Sequence, residues 1–326
     1  MKRFITIVLL LTALLALESK AQQTPLYSQY TMSKFLLNPA FAGSEGYTSF
    51  NLTARQQWLG FENAPMTQAF SAQTRILKTS YINRSRSIKS RVRRRRPSGR
   101  VGIGGYVFND RNGAIHRTGA QFTYAYHLFL GEGQISLGLS LMAYQFRFND
   151  EDMVLYDEND PLLNDRKNSM FVPDASFGVY YSYQPFYIGF SANQLSQSAL
   201  KFGSDNSFSN YKMLRHYYFM TGYRLEVQND FEIEPSLLLK TTEMFNLQAD
   251  INIKGYYKKD YWLGFSYRTG NAFITQVGVR VDKFYFGYAF DYSLSEIQRI
   301  SYGSYEIMFG VKLGDNSRRY RWLNRF

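Results

Sequence analysis

The chain has 326 residues, no cysteine, 27 tyrosines, 27 phenylalanines and a net charge of +12. Without cysteine it has neither a disulfide framework nor a lipobox, so it is held by a core or by a closed hydrogen-bonded wall. After Leu17 the sequence has no long apolar run to bury so many rings and nothing resembling a spanning helix. Rings spread over polar-alternating segments point instead to strands with one face in lipid.

The first element in chain order is a leader. Lys2 and Arg3 precede an apolar run from Phe4 to Leu17, and Ser19-Lys20-Ala21 sets small residues at the two positions that signal peptidase reads. Residues 1–21 are thus expected to be a signal peptide cleaved after Ala21. Residues 22–46 follow as a short N-terminal plug or periplasmic segment. Within it Thr31 to Leu37 can form a short helix, ended before Asn38-Pro39 because a residue preceding proline disfavours the helical region. This segment reads either as a cap that stiffens the barrel or as a recognition element for partners.

Residues 47–326 carry a period-two pattern. In Phe245 to Lys254, Phe245, Leu247, Ala249, Ile251 and Ile253 alternate with Asn246, Gln248, Asp250, Asn252 and Lys254. Tyr261 to Arg268, Phe284 to Tyr292 and Tyr305 to Leu313 repeat the arrangement. Polar faces bearing Asp250, Lys254, Arg268 and Asp291 do not fit a dry sandwich; they line a lumen or face water. Small residues such as Gly138, Gly178, Gly222, Gly264, Gly278 and Gly310 recur on that face and are expected where the wall bends. The reading is an all-β, transmembrane outer-membrane antiparallel β-barrel of about 14 strands. With the first strand rising from the periplasm, the long connections Asn149 to Val172 and Asn193 to Met213 fall outside. The tight turns at Gly131-Glu132-Gly133, Gln184-Pro185 and Gln228-Asn229-Asp230 then fall inside.

One inner connection breaks this asymmetry. Residues 78–100 contain Lys78, Arg84, Arg86, Lys89, Arg91, Arg93, Arg94, Arg95, Arg96 and Arg100 and no acid, so the net charge without them is +2. The segment is either a solvated insertion or an electrostatic dock for an acidic partner or anionic headgroups, with Arg91, Arg93, Arg94, Arg95 and Arg96 as the candidate partner-binding residues. Nucleic acid is not an expected partner in this compartment.

The usual signatures of catalysis are missing. His127 and His216 share the luminal parity but sit at opposite mouths, and His116 lies on the lipid-face parity near the outer rim. Gly102, Gly104 and Gly105 have strand on both sides, where a phosphate cradle needs a helix. The acidic residues from Asp150 to Asp165 form a solvated loop or a loose divalent site bridging lipopolysaccharide; Leu162 and Asn168 break the EF-hand pattern. No enzyme activity, cofactor, catalytic residue or metal site is expected.

Several short pieces resemble one family. They include Gln23-Thr24-Pro25-Leu26-Tyr27-Ser28-Gln29-Tyr30, Asn38-Pro39-Ala40-Phe41-Ala42-Gly43 and Arg55-Gln56-Gln57-Trp58 near the start. Further along come Tyr124-Ala125-Tyr126-His127, Pro173-Asp174, Arg215-His216-Tyr217-Tyr218, Glu234-Pro235-Ser236, Tyr288 to Ser295 and Gly303-Ser304-Tyr305-Glu306. Their ordered sum is similar to the PorP/SprF family of the type IX secretion system, with Thr24 where Asp is common. The resemblance implies an accessory outer-membrane barrel tied to protein secretion and gliding motility. It binds and scaffolds secreted cargo bearing the type IX C-terminal domain, or anchors periplasmic ring or peptidoglycan-linked components, within a lipid and lipopolysaccharide membrane. The alternative is a passive channel or hydrophobic-solute transporter. The arginine-rich insertion and the tail 314–326 depart from the family pattern, and the tail places Phe326 beyond the last strand.

Overall fold

The computed structural model describes residues 25–76, 100–148, 169–197, 199–200, 211–228, 230–270 and 272–313. The expected signal peptide, the arginine-rich insertion with Arg91 and Arg93 to Arg96, the acidic residues from Asp150 to Asp165 and the tail lie outside these residues. Among the described residues no helix is long and apolar enough to cross a membrane; the chain crosses with strands.

These strands are β1 (Thr48–Gln56), β2 (Met66–Ile76), β3 (Val101–Asn112), β4 (Ile115–Leu130), β5 (Gly133–Phe148), β6 (Ser169–Tyr183) and β7 (Phe186–Asn193). β8 is His216–Tyr223 continued, after Arg224, by Leu225–Gln228; the register with the next strand runs on across the break, Gly222 opposite Ser236 and Leu225 opposite Ile233, and shifts only between Glu226 and Gln228. β9 (Phe231–Thr242), β10 (Gln248–Tyr257), β11 (Tyr261–Arg268), β12 (Ala272–Val281), β13 (Phe284–Ser293) and β14 (Ser304–Leu313) complete the wall. Each strand pairs antiparallel with its sequence neighbour, and β1 closes on β14 with Thr48 opposite Leu313. The result is a closed barrel of 14 strands, which leaves no sheet edge in the bilayer.

The alternation read from sequence is carried into space. Ile251, Ile253, Leu263, Phe265, Phe284, Phe286, Ile307 and Phe309 are exposed on the outside, while Asp250, Asn252, Lys254, Arg268, Asp291 and Glu306 are buried inside. Strand β10 starts at Gln248, not at Phe245. Phe245 has a positive φ of 58° and donates its backbone N–H to the Thr242 carbonyl, so the apolar period there runs past the strand into a turn.

Wall height is uneven. β4 and β5 have 16 residues and β11 has 8, which at about 3.3 Å per residue and about 40° of tilt gives roughly 40 Å against 20 Å. The apolar band is only about 25 Å tall, so β4 to β6 rise above it. Outward residues change accordingly, from Phe122, Leu139 and Leu141 to the exposed polar Thr118, Gln145 and Arg147. The inward face changes in the opposite sense: Tyr144, Phe146 and Val172 form an apolar cluster with Met213 of the β7–β8 connection. The raised wall thus turns polar residues outward beside the exposed Phe171, and carries the buried Arg117–Asp110 pair on its inner face.

Candidate functional site

Residues 27–44 occupy the barrel interior and all are buried except the half-buried Met32. The segment has one helical turn, α1 (Lys34–Leu37), and a 3-10 turn at Pro39–Phe41. Asn38 between them is extended, at φ −133°, ψ 113°, as its place before proline requires. α1 is shorter than the helix expected from Thr31, because residues 29–33 close instead as tight turns in which Met32 and Ser33 donate to the Gln29 carbonyl.

Near its start the segment is held by charge. Ser28 and Gln29 donate their backbone N–H groups to the Glu306 carboxylate at 2.7 and 3.0 Å. The Ser28 hydroxyl donates to Asp291 at 2.6 Å and accepts from Arg55 at 2.7 Å. Arg55 bridges Asp291 at 2.7 Å and Glu306 at 3.3 Å, and Arg268 links Asp250 at 2.7 Å to Asp291 at 3.3 Å. All five of these charged side chains are at most 6% exposed. In such a dry site the pairs are strongly coupled, and removing one member leaves an uncompensated charge. Gln276 then donates to the Ser28 carbonyl, Tyr30 and Ser236 share a hydrogen bond at 2.9 Å, and Lys254 donates to the Thr31 hydroxyl at 2.5 Å.

The other half is held by close backbone approach. Asn38 Oδ1 accepts from the Ala40 N–H at 2.9 Å, and its Nδ2 donates to the Val179 and Phe190 carbonyls of β6 and β7 at 3.1 and 3.2 Å. Ser191 donates to the Leu37 carbonyl. His127 donates from Nε2 to the Ala42 carbonyl at 3.0 Å, so Nδ1 is the acceptor for Ser136. Gly43, at φ +66°, donates to Gln73, and Arg75 takes the Gly43 and Ser44 carbonyls at 2.7 Å. The Lys34 ammonium lies 3.5 Å from the centroid of the Tyr187 ring.

Several wall glycines admit close packing. A Cβ at Gly102 would overlap the Ala42 carbonyl, one at Gly138 would overlap Pro39 and Ala40, and one at Gly178 the Asn38 side chain. Gly222, Gly278 and Gly310 lie instead beneath the rings of Tyr187, Trp262 and Tyr285 from neighbouring strands.

Pro25, Tyr27, Ser28, Gln29, Tyr30, Asn38, Pro39, Ala40 and Gly43 therefore share one luminal assembly. The histidines do not meet: His127 holds Ala42, while His216 bonds Gln194 at the other end. Among the described residues no group of three or more His, Asp or Glu could hold a metal ion. Sequence reasoning placed Asp250, Arg268 and Asp291 on the luminal face but gave Arg55 and Glu306 no role. The available signal was position: Arg55, His127, Ser236, Asp291 and Glu306 all belong to the short pieces that carry the family resemblance, and all of them converge on the segment.

Comparison with known proteins agrees with this architecture. The barrel is similar to the Ralstonia pickettii toluene transporter TbuX, with a TM-score of 0.52 at 9% identity over 86% of this chain and 94% of that one. The Acinetobacter baumannii outer membrane protein Omp33 gives 0.45 at 5% identity, over 82% of this chain and 98% of that one. At such identities the likeness is one of fold, that of an outer-membrane barrel. No curated protein matches by sequence. The family model for type IX secretion system membrane protein PorP/SprF matches residues 19–311. The chain belongs to the PorP/SprF family of the type IX secretion system and resides in the outer membrane.

Proposed function

We propose that this protein works by binding and scaffolding, holding exported polypeptide at its outer rim or anchoring secretion components beneath it, and that it conducts no solute. The observation that carries this reading is the filled lumen. An open pore needs a continuous watered path, whereas here residues 27–44 occupy the interior and are tied to the wall by hydrogen bonds, among them those of Ser28 and Gln29 to the buried, arginine-paired carboxylates of Asp291 and Glu306. The raised wall of β4 to β6 supports the same reading, because it offers a partner the polar Thr118, Gln145 and Arg147 together with the exposed Phe171 beyond the apolar band.

The test combines planar-bilayer conductance with affinity purification of the tagged protein from its native membrane and mass spectrometry of what accompanies it. The expected result is no conductance, together with a large surface protein or periplasmic secretion components. Steady conductance with no accompanying protein would refute the scaffold and support a channel.

A further inference from the structure

Arg111 of β3, His116 of β4 and Arg147 of β5 point outward, away from the lumen, and stand in one row. Arg111 lies opposite His116, and His116 opposite Arg147. Neighbouring strands are about 4.8 Å apart, so both guanidinium groups can reach a single group seated over His116. Among the described residues the acids of strands β1 to β7 are Asp110 and Asp174, both buried on the inner face. The arginines are aimed by neutral neighbours: Arg111 donates to Asn63 Oδ1 at 2.5 Å and Arg147 to Gln145 Oε1 at 3.5 Å. Between them His116 Nε2 is buried and makes no hydrogen bond among the described residues. Such an atom calls for a partner, and a phosphate oxygen supplies one.

Below this row the face changes in layers. Gln68, Asn109, Thr118 and Gln145 come next, aligned across β2 to β5 and all exposed. Under them lie Phe70, Val107, Ala120 and Ala143. The heights follow from β4. Its outward positions from Leu130 to Ala120 climb about 25 Å at about 3.3 Å per residue and about 40° of tilt, the full apolar band. The amide row then lies about 5 Å above the hydrocarbon and the basic row about 10 Å above it, within reach of the headgroups. These rows are at the outer end, because the long connections β1–β2, β5–β6 and β7–β8 leave here and the short turns β4–β5 and β6–β7 leave the other.

We infer that this face holds a phosphorylated glycolipid of the outer leaflet, of the lipopolysaccharide class. Its phosphate sits on Arg111, His116 and Arg147, and its sugar on the amides of Gln68, Asn109 and Gln145 and the Thr118 hydroxyl. Its acyl chains run down over the small Ala120 and Ala143. The order of the layers selects this lipid: guanidinium forks match phosphate oxygens in pairs, and a phosphoglyceride has no sugar ring for the amide row. The inference stands without the scaffold reading, since loss of every accompanying protein leaves lipid binding untouched.

The test uses the full barrel, purified in mild detergent and titrated with fluorescent lipopolysaccharide, its dephosphorylated form and phosphatidylglycerol. Lipopolysaccharide is expected to bind about tenfold tighter than either, or tighter still. Arg111→Gln combined with Arg147→Gln should lose about tenfold in barrels that keep their heat-modifiability. Arg299→Gln, which removes an exposed charge from the β13–β14 connection, should change nothing. Equal binding by the double variant and wild type, or by the phosphorylated and dephosphorylated forms, overturns the phosphate site. Phosphatidylglycerol binding as tightly as lipopolysaccharide overturns the glycolipid. If replacing the acids from Asp150 to Asp165 by their amides creates binding that wild type lacks, the row belongs to the chain's own acidic connection and the inference falls. The outer side is checked with Glu62→Cys in the β1–β2 connection, an exposed position in a chain with no cysteine of its own. A membrane-impermeant maleimide should label it in intact cells; labelling only after permeabilisation overturns the placement.

Discussion

Replacing Glu306 by alanine should release the luminal segment while leaving the barrel closed. Glu306 is 0% exposed and accepts from Ser28 N–H at 2.7 Å, Gln29 N–H at 3.0 Å and Arg55 at 3.3 Å. Arg55 keeps Asp291 in the variant, but the two backbone donors lose a charged acceptor in a dry site. Hydrogen bonds to charged groups contribute about 1.5–3 kcal/mol each, and breaking a buried pair costs about 3–5 kcal/mol. Taking about 3 kcal/mol as the lower bound, the population of the unseated segment rises at least about a hundredfold. Lys34 is the one trypsin site between Gln22 and Tyr47 and is 1% exposed. Nicking after Lys34 therefore reports unseating, because proteolysis follows the open population when reclosing is fast. Mass spectrometry of that nick, in barrels that still migrate as the compact unheated form, should show the full acceleration for Glu306→Ala. A smaller effect is expected for Glu306→Gln, which retains one acceptor. Unchanged nicking in a folded Glu306→Ala barrel would mean that this network does not hold the segment.

The same nick and the same gel shift test other parts of the wall. Gly102→Leu puts a side chain where the Ala42 carbonyl lies, so seating should be lost with the barrel intact; a protected Lys34 would refute the close approach. Asn38→Ala removes the bonds to Val179, Phe190 and Ala40 and should cost about 1–3 kcal/mol of seating, measured as faster nicking than wild type and slower than Glu306→Ala. Phe286→Arg puts a charge on an exposed outer position and should cost about 2–4 kcal/mol near mid-membrane; unaltered heat-modifiability would refute its contact with lipid. Replacing Arg93 to Arg96 by serine should leave assembly unchanged and weaken a salt-sensitive periplasmic interaction, and an unchanged pull-down would refute the dock.

The barrel was legible because its signal is local and repeated. Period two assigns Phe286 outward and Gly287 inward without any knowledge of their partners, and many such strands sum to a closed wall. Element ends were less legible: Phe245 continues the apolar period but turns with a positive φ, and periodicity carries no information on φ. The seat of the luminal segment was not legible at all, because it depends on contacts across very long separations. Ser28 meets Glu306 and Asp291, and Asn38 meets the carbonyls of Val179 and Phe190. A glycine on a luminal face looks the same in sequence whether it bends a strand, as was expected of Gly138 and Gly178, or admits Pro39 and Asn38, as these do.

The chemistry of the seat bears on what the barrel can do. A plug needing only stability would be apolar, since buried ion pairs contribute little net energy over hydrophobic groups of the same shape. Here the outer half of the seat is an alternating chain, Arg55, Asp291, Arg268 and Asp250, whose members fail badly when any one is removed but which fixes Ser28 to a single register. Directional bonds of this kind set position more than they add strength. They hold Pro25 and Tyr27 at one height, and with them the floor of the cavity that these two residues line with Arg117, Asn193 and Tyr218. A wall that rises above the bilayer on one side, over a floor held at fixed height, forms a shaped outer surface. Its geometry would be lost if the segment were free to slide, so the buried network and the binding function proposed for the rim depend on the same residues.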